Sequence, residues 1–277
     1  MIASLLLQVI ATSVASPPVP SPAVPVKATR YEFSTESKSE GPVAVNMSGR
    51  YMATYVKDQM RIDVLSQTGS NAALGPGAGS YMLIGKGRFF SVDTVKHEYS
   101  ELSGKKVKAQ MTEMLKAIPG VQLKFSDLKV DVKDLGDGQT ILGHPTRRWR
   151  ISQVVNVSVI MMGDTMTVSS ETVQETSYAK DLFAPSNPMV RLDSASTQFD
   201  DIMPAEHIKK LRAAYAQLPK GIPLKLTSRS TSYFGDTDSS FTSTTEVSKI
   251  YPVTVVSSQF AVPKDYKLVD LPGLNSR

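Results

Sequence analysis

Apolar and polar residues alternate with a period of two over most of the chain after Tyr31. In QMRIDV, for example, Met60, Ile62 and Val64 alternate with charged residues, so one face of the segment is apolar. This alternation is typical of a strand with one buried face. It predicts strands in YEFS (31–34), GRYMATYVKDQMRIDVLS (49–66) and SYMLIGKGRFFSVDTVKHEYSELS (80–103).

The same period returns in the second half of the chain. WRISQVVNVSVI (149–160) places Trp149, Ile151 and three valines on one face. Gly163-Asp164 then predicts a two-residue hairpin turn into the next strand. LKLTSRSTSYFG (224–235) and FTSTTEVSKIYPVTVV (241–256) predict a second hairpin around Gly235-Asp236. Most of this half is therefore expected to be antiparallel strand.

Two segments have helical spacing instead. In GKKVKAQMTEMLKAIPG (104–120) apolar residues recur every three or four positions. In MPAEHIKKLRAAYAQLPKG (203–221), Pro204 suits the first turn, and Asp200 or Asp201 can cap it. Because each apolar stripe has basic residues opposite it, each helix is expected to cover an apolar surface. The second stripe consists of Ile208, Leu211, Tyr215 and Leu218.

Many strands, two helices and no βαβ alternation predict an α+β fold. The expected architecture is a large curved antiparallel sheet, forming a half-open β-barrel, with about two helices packed on its concave face. The length of 277 residues is compatible with one large domain.

The N-terminal segment differs from the rest in composition. MIASLLLQVIATSVAS is an apolar run, too short to span a bilayer and followed by small residues, which is typical of a secretory signal. PPVPSPAVPV (17–26) is predicted to be a linker, because proline removes amide donors and fixes φ. We therefore expect a signal peptide over 1–23, a proline-rich linker with the first strand over 24–44, and a single half-barrel domain over 45–277. The expected location is the periplasm or the extracellular space.

Composition narrows the chemistry further. The chain has no cysteine, which excludes disulfides, thiolate metal sites, a cysteine nucleophile and a lipid-modified cysteine. Its net charge of +5 comes from 31 Lys and Arg against 26 Asp and Glu, and the two signs are interspersed. Without a basic block, no nucleic-acid partner is predicted.

GHPTRRWRI (143–151) brings together one histidine, the tryptophan and three arginines. Strand alternation separates this group, since Arg147 and Trp149 face one way while Arg148 and Arg150 face the other. His144 lies in the turn before the strand, where a structural role is favoured over catalysis.

No catalytic or metal-binding signature accompanies that segment. The histidines at 97, 144 and 207 fall on a strand, a turn and a helix, without HExxH or paired spacing. No GxSxG elbow occurs. GKGRFF (85–90) lacks the spacing of a phosphate loop and is predicted to be a hairpin turn. The sequence therefore predicts no metal ion and no cofactor.

The apolar strand faces form the candidate binding surface. The chain's 12 methionines contribute to it, and methionine both fills irregular cores and lines adaptable apolar pockets. Alternation alone leaves open whether such a face fills a core or lines a cavity. The residues predicted to bind an apolar ligand are Tyr55, Met60, Ile62, Phe89, Met111, Met114, Trp149, Ile151, Val157, Leu211 and Tyr215.

Four stretches carry a resemblance: YMATYVKDQMRIDV, YMLIGKGRFFSVDTVKHEYSEL, ILGHPTRRWRI and FAVPKDYKLVDLP. Their shared points are Arg61, Glu98-Tyr99, the strand from Gly143 to Ile151, and a closing motif of Phe260, Pro263 and Tyr266. They resemble an uncharacterised family of secreted bacterial proteins related to the LolA and LppX type of periplasmic lipoprotein and lipid carriers. The resemblance covers residues 45–155 and 250–272. It implies a half-barrel with helices as a lid over an apolar cavity, and it supplies no catalytic residues.

The resemblance and the apolar faces favour an exported, non-enzymatic carrier or binding protein. Its ligand would be a lipid, a lipoprotein acyl chain or another apolar molecule of the cell envelope, and contact with an envelope protein or a membrane surface is compatible with that role. Two alternatives stay open. A secreted hydrolase of an envelope polymer or ester would use His144 or a carboxylate as base and needs converging polar groups. A structural or adaptor protein would have a filled barrel and an exposed apolar patch.

Overall fold

The computed structural model describes residues 24–41, 46–69, 77–85, 88–102, 122–161, 164–183, 203–234 and 237–269. The helix α1 spans Ala205–Tyr215, and a 3-10 helix spans Ser257–Phe260. The strands in these ranges are β1 (Pro25–Glu40), β2 (Asn46–Val56), β3 (Gln59–Thr68), β4 (Tyr81–Gly85), β5 (Arg88–Asp93), β6 (Glu98–Leu102), β7 (Gln122–Asp137), β8 (Thr146–Met161), β9 (Asp164–Phe183), β10 (Gly221–Phe234), β11 (Thr237–Val256) and β12 (Lys267–Leu268).

These strands form one sheet of 12 strands in the order β12-β6-β5-β4-β3-β2-β1-β11-β10-β9-β8-β7. Neighbours are antiparallel except for the short parallel pair of β12 with β6. Because β12 and β7 stand at opposite ends of the order and do not pair with each other in the described ranges, the sheet is open. This confirms the prediction of a large antiparallel sheet that does not close into a barrel.

The helical content differs from the prediction. Within the described ranges the fold is mostly β with the single α-helix α1, instead of α+β with about two helices on a concave face. Strands as long as the 20 residues of β9 and β11 make the sheet dominant. Pro204 occupies the N-cap position of α1, one residue before the predicted first turn, and the predicted caps Asp200 and Asp201 lie outside the described residues. The helix ends at Tyr215, four residues before Pro219, whose ring would clash with the Tyr215 carbonyl in a continued helix. The other predicted helix, at 104–120, lies outside the described residues.

The hairpins lie close to their predicted positions. Phe234 pairs with Thr237, so β10 and β11 form the predicted second hairpin, whose Gly-Asp pair lies outside the described residues. In the first hairpin, Met161 pairs with Asp164. Asp164, predicted as a turn residue, therefore belongs to the strand ladder.

Strand β1 begins at Pro25, inside the segment 17–26 whose proline content predicts a linker. Pro25 pairs with Val256, and Val26 pairs with Val255. Proline is tolerated at the first residue of a strand, where one missing amide donor costs little. Since β1 lies between β2 and β11, the linker prediction is wrong for these two residues, which join a central strand.

The sheet buries residues on both of its faces. We call the face against which α1 packs the helix face, and the opposite one the tail face. The tail face of β4 to β6 is covered by the C-terminal segment 257–268, whose Val262 is fully buried among aromatic and aliphatic side chains. Phe260, from the same segment, packs on Ala28 and Val255. The chain end thus completes the core on the tail face.

Several residues that carry the family resemblance lie in or next to this covering segment, whereas the strand from Gly143 to Ile151 lies elsewhere in the sheet. The Arg61 guanidinium binds Asp63, donates to the carbonyl of Gln259 at 3.3 Å and stacks 3.7 Å from the ring centre of Tyr81. Tyr266 packs on the cluster that contains Tyr99. Leu268 pairs with Tyr99 in the β12–β6 ladder. The shared motif therefore fastens the C-terminal segment to the sheet and is structural.

Candidate ligand-binding face

Strand register places seven of the predicted binding residues on one face of the sheet. Trp149 lies opposite Thr176, which lies opposite Leu226. The same row continues through Thr245 to Thr35 in β1, and directly opposed residues of an antiparallel pair point to the same side. From β1 the register extends to β5. The residues so placed on the helix face are Tyr55, Met60, Ile62, Phe89, Trp149, Ile151 and Val157.

The other predicted binding residues belong to the two predicted helices. Leu211 is buried on α1, and Tyr215 packs on the cluster beneath that helix. Met111 and Met114 lie outside the described residues. Ligand binding by any of these side chains remains a prediction, but the described ones form one continuous side of the molecule.

The first apolar cluster on the helix face joins β1, β2 and β3 with β9, β10 and β11. Met60 is 0% exposed and Ile62 is 5% exposed, so both are packed core residues. The Tyr31 hydroxyl donates to the sulfur of Met60 at 3.8 Å. Tyr55 and Phe89 are only half-buried. The predicted set thus divides into side chains that fill the core and side chains at its accessible margin.

The second apolar cluster lies under α1. Ile151, Tyr178 and Leu218 are buried there, with Trp149 and Tyr215 partly buried beside them. The amide nitrogen of Gln153 donates to the Tyr215 hydroxyl at 2.8 Å and links β8 to the helix. Burial also raises the pKa of Tyr215. This cluster is what fixes α1 against the sheet.

Tyr178 makes the stability of the protein sensitive to alkaline pH. Its burial raises the pKa of the phenol to about 12, above the ordinary value of 10.0. Between these two values the unfolded chain loses the proton first, so the free energy of unfolding falls as pH rises, by on the order of 2–3 kcal/mol in all. Denaturant unfolding at about pH 9 and about pH 11.5 measures this loss. Tyr178→Phe is expected to make it smaller, and an unchanged loss in that variant would contradict the assignment.

A cavity lies beside α1. Its volume is about 310 Å³, and its described lining residues are Ala205, Ile208, Lys209 and Arg212. This volume is at the lower end of the range for small-molecule sites. The lining combines an apolar side chain with two cations, which suits an amphipathic ligand with an anionic head.

The helix face also carries rows of hydroxyls that hydrophobic patterning misses. Across β1 and β11, Thr35 and Thr245 are joined at 3.0 Å, and the Ser37 hydroxyl donates to Ser243 at 3.2 Å. Similar pairs join β9 to β10. Serine or threonine at every second position, as in TES and SRSTS, is the sequence signal that reveals these rows. The helix face therefore carries two apolar clusters and, beside them, rows of uncharged hydroxyl groups.

The three arginines of GHPTRRWRI are all paired with carboxylates. Arg147 makes a two-pronged contact with Asp134. Arg148 and Arg150 share Glu175, at 2.8 and 2.6 Å. Hydrogen bonds from Arg150 and then Arg148 hold the pKa of Glu175 below its ordinary value. This segment is a strand with a salt-bridged tail face, and the predicted division of its side chains between two faces is confirmed.

His144 is close to one carboxylate. Its Nδ1 lies 2.9 Å from Oδ2 of Asp181, and this hydrogen bond lowers the pKa of Asp181. In the described part of the chain, no recorded hydrogen bond joins His144 to a hydroxyl group. The pair links the turn before β8 to the end of β9.

Within the described residues, no group of three or more His, Asp or Glu side chains is arranged to hold a metal ion. The helical segments that the structure describes include none with the length and apolar character needed to cross a membrane.

No protein-family model matches the chain, and no curated protein matches it in sequence. Similar solved structures include an uncharacterized conserved protein from Thermus thermophilus, with a TM-score of 0.32 and 9% identity over 86% of this chain and 90% of that chain. They also include a LolA superfamily protein from Nitrosomonas europaea, with a TM-score of 0.24 and 9% identity over 80% and 84%. A lipovitellin structure concerned with lipid–protein interactions has a TM-score of 0.28 and 9% identity over 81% of this chain and 25% of that chain.

Proposed function

We propose that this chain is an exported, non-enzymatic carrier or binding protein for a lipid, a lipoprotein acyl chain or a similar apolar ligand of the cell envelope. The observation that carries the proposal is that both apolar clusters on the helix face belong to an open sheet, with α1 and its cavity beside them. An apolar surface of this kind next to a docked helix is suited to a ligand that enters when the helix moves.

The charges around the cavity favour an amphipathic ligand. Lys209 and Arg212 are exposed residues of its lining, which also includes the buried Ile208. A carboxylate or phosphate head group would interact favourably with the two cations, and an acyl chain would lie against the apolar residues. A fatty acid or the acyl chain of a lipid fits this description better than an uncharged hydrocarbon.

The direct test is native mass spectrometry of the protein purified from its host, followed by titration with a fluorescent fatty acid. We expect a co-purified lipid or saturable uptake of the fatty acid by the delipidated protein. Absence of both would overturn the proposal. Uptake of the fatty acid without a co-purified lipid would support apolar binding and leave the natural ligand to be found among other acyl compounds.

A matched pair of variants locates the binding to one face. Val157 and Val154 lie on β8, both half-buried, with Val157 on the helix face and Val154 on the tail face. Val157→Asn is expected to weaken fatty-acid binding about tenfold, because a polar amide replaces apolar contact area. Val154→Asn makes the same chemical change and is expected to leave the affinity within about twofold. Equal effects of the two substitutions would contradict binding on the helix face.

The hydrolase alternative has one observation in its favour, the 2.9 Å pair of His144 with Asp181. A carboxylate that orients an imidazole is part of many acyl-transfer sites. Ester turnover by the purified protein that disappears in His144→Ala would establish this alternative and overturn the non-enzymatic proposal. Turnover that persists in the variant would exclude His144 as the base.

A further inference from the structure

Strand β7 is a long edge strand without a partner on its outer side in the described part of the chain. It covers 16 residues, Gln122–Asp137, and stands at the end of the strand order. An edge strand presents unpaired backbone N–H and C=O groups, which either pair with another strand or are blocked by proline, charge or distortion. β7 contains no proline. Its ladder with β8 is irregular between Phe125 and Leu128 and between Asp134 and Gly136, so the charges of the regular stretch 128–134 decide which of these applies.

Those charges alternate in sign along the tail face. Lys129, Asp131 and Lys133 occur at every second residue, and Asp127 precedes them. All four are exposed, and no described residue forms an ion pair with any of them. On neighbouring β8, by contrast, three arginines are all paired with carboxylates. The unpaired charges of this region are thus concentrated on the free edge.

An antiparallel second copy of β7 centred on Val130 places each of these charges near one of opposite sign. Lys129 then faces Asp131 of the second copy, twice by symmetry. Lys133 comes near Asp127 of the second copy, at the irregular position before Leu128. Moving the centre by one residue, to Lys129 or Asp131, sets lysine against lysine and aspartate against aspartate. Opposite charges directly across a ladder stabilise it and like charges destabilise it, so the register centred on Val130 is favoured over the two registers next to it. Centres two residues away, at Leu128 or Val132, pair fewer of the four charges.

The apolar side of β7 is complementary in the same register. Val130 would meet its own copy, and Leu128 would face Val132 of the second copy. These residues lie on the helix face, where Val130 and Val132 pack at the margin of the cluster under α1 and are only half-buried. Pairing would therefore bury apolar area on one face and join charges on the other.

We propose that β7 is the interface of a symmetric homodimer in which two sheets join, antiparallel and centred on Val130, into one continuous sheet. The proposal is independent of the ligand, since it rests on the edge and its charges alone. Backbone hydrogen bonds across the edge supply affinity, as in other cases of strand addition, and the charge order selects the register and the partner.

Charge reversal tests the proposal by sedimentation velocity over a concentration series of the full chain. Lys129→Asp and Asp131→Lys each convert two attractive contacts into repulsive ones and are expected to weaken dimerisation at least about tenfold. The double variant Lys129→Asp/Asp131→Lys restores opposite charges and is expected to dimerise like the parent. An equimolar mixture of the two single variants is expected to form heterodimers, because their charges at these positions are then complementary.

Asp58→Lys is the matched control, since it reverses a charge in the exposed turn between β2 and β3. It is expected to dimerise like the parent, and circular dichroism confirms that every variant is folded. A parent chain that stays monomeric at its highest soluble concentration would overturn the proposal. Folded single variants that dimerise as tightly as the parent, or a mixture that associates no better than its components, would also overturn it.

Discussion

Val262→Asp is expected to remove most of the stability of the folded state. Val262 is 0% exposed and lies in the tail-face cluster with Tyr81, Val92 and Tyr99. A carboxylate placed there has no partner, and burying it or expelling the C-terminal segment costs at least about 4 kcal/mol. Since whole domains are stable by about 5–15 kcal/mol, one such change is enough to leave a large unfolded fraction.

Thermal unfolding followed by circular dichroism measures this effect. Val95→Asp is the matched control, because it is the same substitution at a turn residue that is 80% exposed. It is expected to change the midpoint by no more than a few degrees. If Val262→Asp melts at the same temperature as Val95→Asp, the C-terminal segment does not stabilise the sheet.

The alternation of side chains was predictable because it is a local property of a strand. The division of GHPTRRWRI into a side with Trp149 and a side with Arg148 and Arg150 follows from the period of two alone, and the ladder confirms it. The same reasoning places Tyr55, Met60 and Ile62 on one side of β2 and β3. Candidate binding residues could therefore be grouped by face before any contact was known.

The order of the strands was not predictable from these patterns. β1 pairs with β11, so Phe33 lies opposite Val247 across more than two hundred residues of chain. No local signal specifies such a contact. The core on the tail face was not predictable either. Residues such as Leu83 and Phe90 belong to short strands that are apolar on both faces, so the alternation is too weak to show which face is buried.

Whether the apolar face forms a core or a cavity also depends on long-range packing. Met60 and Ile62 could be recognised as apolar neighbours, but their near-complete burial depends on side chains from β1 and β10. Half-buried Tyr55 has the same pattern in the sequence. The hydroxyl rows were missed for another reason, since a search for apolar periodicity gives serine and threonine no weight even where they occupy the same face.

Leu211→Asp is expected to release α1 from the sheet while the sheet stays folded. Leu211 is 8% exposed on the buried side of an 11-residue helix. A helix of this length is marginal without docking, so a buried charge at its centre should favour local unfolding by about 3 kcal/mol. Hydrogen exchange of residues 205–215 should then be about a hundredfold faster, with exchange in β1 and β11 unchanged. Ala213→Asp, on the exposed side of the same helix, is the control and should exchange like the parent.

The same measurement tests whether α1 is the lid of the proposed carrier. If ligand lies between α1 and the helix face, fatty acid should slow the exchange of 205–215 in the parent and in Ala213→Asp, because bound ligand stabilises the docked helix. Leu211→Asp should bind the fatty acid more weakly and show a smaller slowing at the same concentration. Protection of α1 equal to that of the strands and insensitive to fatty acid would contradict the lid. It would favour the structural alternative, in which Trp149, Ile151 and Tyr178 form a filled core that holds the helix in place.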